Sequence, residues 1–186
     1  ASAKPDLLSS ADALAAVTKE AVTLAEAAGI TLPEAAAALG SGLNQFQLSA
    51  GSASEVINIL AASSKLGTAS ITQVNEALKN SGSAANALGI DLADAVAGIQ
   101  ALAKAGIVGS EGGTALSQVM LQLERTANKN LIPSVVGVTH AVDNLSTMQL
   151  SNIELMKIFG AEAFKSAAAI LAQKGTFEDL SVSLRG

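Results

Sequence analysis

The feature that most constrains the fold of this chain is an apolar periodicity of the helical kind, broken repeatedly by helix start and stop signals. In the first segment, apolar residues recur at spacings of three and four, which places them on one narrow face of a helix of the coiled-coil type. That stripe consists of Leu14, Val17, Ala21, Leu24 and Ala28. No stretch sustains the alternation that a half-buried strand requires, so the pattern predicts an all-α fold.

Start signals recur along the chain. In "TLPE", the Thr31 hydroxyl can accept a hydrogen bond from the first helical turn, Glu34 can reach back to Thr31, and Pro33 occupies a position that tolerates the loss of an N–H. Gly29, just before this signal, can end the preceding helix because glycine adopts positive φ at little cost. Further predicted starts are Ser52 or Ser54, Ser70 with Gln73, Asp91 with Asp94, Ser110 or Thr114, and Ser151 with Glu154.

The connections between these segments are short and contain glycine, and the apolar faces are rich in alanine. Such faces let helix backbones approach closely, so we expect a compact array of short antiparallel helices in which each helix buries one face. The stretch "IPSVVGV" around Pro133 has no strand partner, and we expect it to be a loop that leads into a helix.

A weak internal repeat of helix pairs is present. "AGITLPEAAAAL" at residues 28–39 matches "LGIDLADAVAGI" at residues 88–99, and small and apolar positions continue to match downstream. This alignment pairs Gly29 with Gly89 and Leu32 with Leu92. The chain is therefore expected to form a single helical domain over residues 1–186, with possible sub-regions at 1–128, the repeated helix pairs, and 129–186, the C-terminal helices. Because it begins without Met or a signal pattern, we expect it to be a fragment of a longer protein.

Composition excludes several function classes. The chain has no cysteine, which removes disulfides, thiolate metal sites and cysteine nucleophiles. A net charge of −5 and scattered lysines predict no direct binding of nucleic acid. The longest uncharged stretch, residues 35–54, contains several Asn, Gln, Ser and Gly, so we expect no stable membrane span.

The glycine-rich stretch "AGIVGSEGGTAL", residues 105–116, raises the question of a phosphate-binding loop. Such a loop needs a preceding strand and a Lys followed by Ser or Thr at the helix start, and neither is present. These glycines are therefore predicted to form a turn and a helix cap. A phosphate site is the alternative.

Few residues suggest chemistry. His140 lies three residues before Asp143, which allows a proton-shuttle pair, but no nucleophile or second ligand has suitable spacing. The carboxylate pairs could be imagined as glycosidase acids, but the first of them lies where helix caps belong. Those pairs are Asp91 with Asp94 and Glu178 with Asp179. We predict no enzyme, no catalytic, cofactor-binding or metal-binding residue, and no cofactor.

Two aromatic residues near the C-terminus have two interpretations. Phe159 and Phe164 either fill the core around a turn at Gly160 or line a groove for a partner, and the core is favoured.

Most of the chain resembles phage tail tape measure proteins. Residues 71–126, with "LGIDLADAVAGIQALAKAGIVGSEGGTALSQVMLQL", are similar to the core region of that family, and "LMKIFGAEAFKSAAAILA", residues 155–172, is similar to its closing Phe-Gly element. Residues 28–70 resemble the preceding segment. The chain departs from the family between Leu131 and Leu150, where "LIPSVVGVTHAVDNLSTMQL" replaces the usual connecting segment.

The resemblance implies a virion structural protein of a long-tailed phage or prophage. It would lie in the lumen of the tail, help to set tail length and scaffold polymerisation of the tail tube, and be present in the host cytoplasm during assembly. Its implied partners are tail tube and tail-tip proteins, a tail assembly chaperone and other copies of itself. No catalytic residue is implied for this region.

Two other functions stay open at this point. The chain could be a generic helical interaction or toxin-like domain, or, with less support, a peptidoglycan-cleaving module. A ruler must be long, and 186 residues in one helix would span roughly 280 Å, whereas this sequence stops its helices frequently. We therefore expect the isolated chain to be compact, and either to unfold into an extended form in the tube or to anchor one end of a rod.

Overall fold

The computed structural model of the chain describes residues 11–186, which form ten α-helices and no strand. The all-α prediction is confirmed. Two 3-10 turns, Ala50–Ser52 and Lys129–Leu131, connect some of the helices. The helices are α1 (Ala11–Ala28), α2 (Leu32–Gln45), α3 (Ala53–Leu66), α4 (Ile71–Ala87), α5 (Leu92–Lys104), α6 (Gly109–Glu124), α7 (Pro133–Val136), α8 (Val138–Thr147), α9 (Asn152–Ala172) and α10 (Lys174–Ser183).

Three helices begin with the predicted reciprocal cap. At α2, the backbone N–H of Glu34 donates to the Thr31 hydroxyl at 3.4 Å, and the Glu34 carboxylate accepts from the Thr31 backbone N–H at 2.9 Å. Both groups would otherwise be left unpaired at the helix start. The same arrangement starts α4 at Ser70 and α9 at Ser151.

One predicted start is misplaced, and another lies at the predicted residue, Ser52, without the predicted side-chain cap. Helix α6 begins at Gly109, ahead of both Ser110 and Thr114, and its N-cap residue is Val108, which has no side-chain cap. Helix α3 follows a 3-10 turn, and Ser52 at its start makes no side-chain cap hydrogen bond. Hydroxyl residues in these stretches therefore mark the neighbourhood of a helix start, but not its first residue.

The internal repeat has a structural counterpart. Gly29 and Gly89 both have positive φ, at 64° and 71°, and end α1 and α4. The next residue closes each turn in the same way, because the N–H of Ile30 donates to an α1 carbonyl at 3.1 Å and that of Ile90 to an α4 carbonyl at 2.9 Å. Two three-helix units follow from this repeat, and we call α1–α3 the first unit and α4–α6 the second unit.

The two units are packed in the same way internally. In each unit the first helix packs against both the second and the third. A bend of 117° separates α1 from α2, at the first corner of the first unit, and another of 117° separates α5 from α6, at the second corner of the second unit. The first unit packs on the second mainly through α2 against α4 and α3 against α5.

Helix α5 lies at the centre of the fold. Every residue from Leu92 to Ala103 is buried, because α3, α4, α6, α9 and α10 all contact this helix. Helix α5 thus exceeds the expectation that each helix buries one face, because it is covered on all sides. One continuous apolar cluster extends from Ala21 in α1 to Leu184 beyond α10.

The segment between Leu131 and Leu150 is more helical than expected. Pro133 begins the single-turn helix α7, where its ring needs no N–H partner, and Gly137, with φ of 82°, separates α7 from α8. The expectation of a plain loop at "IPSVVGV" is therefore wrong, while the helix predicted after it is present as α8.

The helices can also be compared with what is needed to span a membrane. Within residues 11–186 no individual helix has both the length and the apolar character to cross a bilayer. Helices α1 with α2, and α5 with α6, meet these two criteria only when each is taken together as a bent pair.

Candidate functional site

A polar cleft of about 540 Å³ lies between α5, α8 and α10. The fold brings together here several residues that are far apart in sequence and that the sequence offers as candidates for chemistry. The cleft is lined by Asp94, Thr139, His140, Asp143, Glu178, Ser181, Val182 and Arg185.

Asp94 is buried at the α5 side of this cleft and is 9 % exposed. Its Oδ1 accepts hydrogen bonds from the hydroxyls of Thr139, at 3.1 Å, and Ser181, and pairs with Arg185 Nη2 at 2.7 Å. The same guanidinium nitrogen lies 2.8 Å from Asp91 Oδ2. One guanidinium group therefore bridges both members of the predicted carboxylate pair.

The two aspartates also differ in their local roles. Asp91 caps α5, because its Oδ1 accepts the backbone N–H of Asp94 at 2.9 Å, as predicted. The Asp94 side chain points to α8 and α10 and completes no reciprocal cap. Burial of Arg185 would lower its pKa, but the hydrogen bonds and charges of the two aspartates raise it above its ordinary value.

The structure pairs Asp143, the candidate partner of His140, with a lysine. Asp143 bonds to Lys174 Nζ at 2.7 Å, and Lys174 also donates to the Ser146 hydroxyl at 3.0 Å. The hydrogen bond from Lys174, helped by its charge, lowers the pKa of Asp143 below its usual range. A carboxylate held in its charged form by an ammonium group is poorly suited to give a proton.

The two members of the second carboxylate pair, Glu178 and Asp179, have different surroundings on α10. Glu178 lines the cleft, whereas Asp179 is exposed and lies outside it. Among the described residues no group of three His, Asp or Glu side chains could hold a metal ion. The charged groups of the cleft bond mainly to one another, and they fasten α10 to α5 and α8.

The glycine-rich stretch serves turn geometry and close packing. Gly106 has φ of 87° and closes the turn after α5, as predicted. Gly113 does something that the sequence does not indicate, because a Cβ built there would lie 2.1 Å from the carbonyl oxygen of Ala77. The backbones of α4 and α6 therefore touch at this point, and the stretch is helical from Gly109 onward.

The two phenylalanines support the core interpretation. Phe159 is 1 % exposed, and Phe164 is half-buried against the same apolar cluster. Between them, Gly160 has φ of 70° and interrupts the helical geometry of α9, which is where the sequence predicts a turn.

One important polar residue was missed by sequence reasoning. Gln100 is 1 % exposed in the middle of α5. Its Oε1 accepts the backbone N–H groups of Thr68 and Ala69, both at 2.7 Å, and its Nε2 donates to the carbonyls of Ser63, at 3.2 Å, and Ala69, at 3.0 Å. It thereby supplies hydrogen-bond partners to backbone groups at the end of α3 and in the connection between α3 and α4. A signal was present, since Gln100 is a lone amide in an apolar helix, but its partners belong to a distant part of the chain.

A second concave surface lies beside Arg185. This groove of about 900 Å³ runs between the α2–α3 connection, the α4–α5 turn and the C-terminal residues. Its lining is mostly apolar, with Phe46, Ile59 and Leu184 among the contributing side chains.

The described residues form an all-α protein in which the ion pairs of the cleft hold helices together. Comparison with known families identifies the kind of protein. A model of the phage-related minor tail protein family matches residues 3–186. The chain belongs to the phage-related minor tail protein family, which gives it a structural role in a phage tail, among the other tail components of the virion. No curated protein and no solved structure matches the chain.

Proposed function

We propose that this chain is part of a tape measure protein, which helps to set the length of a phage tail and scaffolds assembly of the tail tube. The observation that carries the proposal is the family match over residues 3–186, together with a helical unit whose start recurs at residues 28–39 and 88–99. A protein that measures length benefits from a unit that can be repeated, because each copy adds a fixed increment. The resemblance of residues 71–126 to the tape measure core supports the same function.

The proposed partners are tail tube and tail-tip proteins, a tail assembly chaperone and other copies of the chain. Assembly would take place in the host cytoplasm, and the finished protein would lie in the tail lumen. The role is not enzymatic. Its support is the pairing of Asp91, Asp94 and Asp143 with cations.

The described helices form a compact arrangement, which bears on how such a ruler could work. Corners of 117° and a shared core shorten the chain far below the length of a continuous helix. We propose that the units open into extended helices in the tube. Small-angle scattering of the isolated chain should show a compact particle, and a rod-like particle would contradict this starting state.

The decisive experiment is an in-frame deletion of residues 29–88 from the phage gene, followed by electron microscopy of the tails. Because Gly29 and Gly89 hold equivalent positions, the deletion joins α1 directly to the second Gly-Ile turn and preserves the local backbone. If the region is part of the extended ruler, tails should shorten by up to about 90 Å, the helical rise of the deleted segment. Duplication of the same residues is the matched control and should lengthen tails by the same amount.

The result also separates the alternatives. Tails of normal length in both variants, or the absence of tails in both, would contradict a ruler function for this region. Cleavage of purified cell walls by the isolated chain would overturn the non-enzymatic role, and binding to host partners unrelated to tails would favour a toxin-like domain.

A further inference from the structure

One face of the first unit is apolar and largely exposed. On α1, Leu14 is 50 % and Val22 is 39 % exposed, and on α2, Leu32 is 45 % exposed. Thr18 lies between the two α1 residues, and its hydroxyl is already satisfied by the Leu14 carbonyl at 2.8 Å. With Ala36 and Gly40 of α2, these residues carry no charge. We call this set the open face: Leu14, Thr18, Val22, Leu32, Ala36 and Gly40.

The corresponding face of the second unit is entirely buried. The alignment that pairs Gly29 with Gly89 gives each member of the open face a counterpart, three in α4 and three in α5. None of these counterparts is exposed. They are Val74, Leu78, Gly82, Leu92, Val96 and Gln100.

The first unit covers at least three of these second-unit residues, namely Gly82, Leu92 and Gln100. A Cβ built on Gly82 would lie 2.6 Å from Cβ of Gln45 in α2, and a Cβ on Gly42 of α2 would lie 3.7 Å from a methyl of Leu92. Gln100 bonds to the end of α3 and the connection that follows. The buried face of α4 and α5 is therefore an interface between repeated units.

We propose that the open face of α1 and α2 is the docking site for a further three-helix unit of the same polypeptide, joined ahead of α1. This unit would sit on the first unit as the first unit sits on the second. The inference concerns the packing of repeats and does not depend on the tape measure function.

The character of the open face favours a continued array. Terminal units of repeat proteins normally carry a polar outer face, since that face meets water. The open face is apolar instead, and apolar surface of this kind is typical of an interface. Covering Leu14, Val22 and Leu32 would remove apolar surface from water, which stabilises the docked arrangement.

A second copy of the chain fits this site less well. To use the same packing, the second copy would have to offer the outer side of its second unit. That side is covered by α9 and α10, which pack on α6 and α5, and it is fastened by the bond between Asp94 and Ser181. Among residues 11–186, no helix covers the open face in this way.

The incoming unit must differ from the first unit at one position. In the existing interface, Gly82 of α4 packs against Gln45 of α2. The equivalent residue of α1 is Val22, whose side chain would not fit against a residue as large as Gln45. We expect the natural partner helix to present glycine or alanine opposite Val22. In a test built from this chain alone, Val22→Gly supplies the missing space.

The test is a chain in which residues 11–70 are duplicated, so that Ser70 of the added copy precedes α1 as Ser70 precedes α4. The chain contains no cysteine, so a single introduced thiol reports the exposure of one site. Leu14→Cys or Leu32→Cys is placed in the downstream copy, with Val22→Gly in the same copy. The 186-residue chain with identical substitutions is the reference. Val182→Cys, at a side chain that is 73 % exposed on α10, is the control.

Labelling by a thiol reagent gives the outcome. Docking should slow labelling at both open-face positions at least about tenfold in the duplicated chain, because reaction then requires local opening. The control thiol should label at the same rate in both chains.

Three results would overturn the proposal. The open-face thiols could label equally fast in both chains. The added copy could contribute no helical signal in circular dichroism, which would show that the face does not organise it. Protection could also appear in the reference chain as its concentration rises, in which case a second copy covers the face.

Discussion

Helices α2 and α5 begin with the same sequence pattern and have different surroundings. Leu32, the first residue of α2, is 45 % exposed, whereas Leu92, the first residue of α5, is 4 % exposed. Composition does not explain this difference, since both helices are rich in alanine and leucine. The position of each helix in the array explains the difference. Helix α5 has the first unit on one side and the C-terminal helices on the other, whereas among the described residues α2 has a unit on one side only.

The acidic residue that follows each cap shows the same effect. Glu34 folds back and completes the cap of α2, whereas Asp94, at the equivalent place in α5, bonds to Ser181 and Arg185. Both carboxylates stand three residues after a capping side chain. A repeated local signal thus acquires a tertiary function when other helices come within reach of it.

The largest expected effect tests the tight packing inside the second unit. Gly113→Ala places a Cβ against the backbone of Ala77, which cannot move aside as a flexible side chain can, so it should lower the free energy of unfolding by about 3 kcal/mol. The matched substitution in the first unit is Gly40→Ala, where a Cβ meets nothing within 4 Å. It should raise the free energy of unfolding by about 0.5–1 kcal/mol, because alanine favours the helix. Urea denaturation measures both, and similar effects at the two sites would refute the contrast.

The next effect concerns the buried side-chain amide of Gln100. The equivalent position in α2 is Gly40, which has no side chain. Gln100→Leu removes the partners of the Thr68 and Ala69 N–H groups and should cost about 2 kcal/mol of unfolding free energy. The control Gln118→Leu, at a half-buried position of α6, should change it by less than about 0.5 kcal/mol.

A second substitution distinguishes hydrogen bonding from general damage at this site. A Cβ on Gly67 would lie 2.1 Å from Cδ of Gln100, although the backbone there, with φ of −99°, accepts any residue. Gly67→Ala should therefore destabilise the native chain and have a smaller effect in a Gln100→Ala background. Additive effects in a double-mutant cycle would show that the two residues do not interact.

The smallest effect is a pH dependence of stability that arises from Glu34 in the first unit. Hydrogen bonds from the Thr31 hydroxyl and backbone N–H lower the pKa of Glu34 in the folded chain. A carboxylate whose folded pKa is lowered contributes stability above its unfolded pKa, and this contribution disappears as the pH falls through the folded value. Glu34→Gln keeps an acceptor for the cap but does not titrate. The wild type should thus be more stable than the variant near pH 7, and the difference should disappear as the pH falls through the lowered pKa of Glu34. A difference that does not change with pH would exclude this origin.

Local signals were sufficient for much of the fold. The all-α class, the reciprocal caps at Thr31, Ser70 and Ser151, and the turns at Gly29 and Gly89 all depend on residues within a few positions of one another. Local hydrogen bonds and backbone sterics act in the same way wherever the segment lies. This is why the repeat could be recognised before any packing was known.

The polar cleft shows the limit of such signals. The sequence offered Asp91, Asp94, His140, Asp143 and Glu178 as separate candidates. The pairing of Asp94 with Arg185 joins residues that lie far apart in the chain. No spacing rule reaches that far, because the contact depends on how α10 crosses α5.

The sequence by itself determined which segments are helices, where most of them begin and end, and that a helical unit recurs along the chain. The tertiary structure decided that α5 is buried on all sides, that Gly113 lets two backbones touch, that Asp91, Asp94 and Asp143 are paired with cations, and that one face of the first unit is left open. The physical reason is range: caps and turns depend on a few neighbouring residues, whereas burial depends on which distant helices occupy the remaining surface.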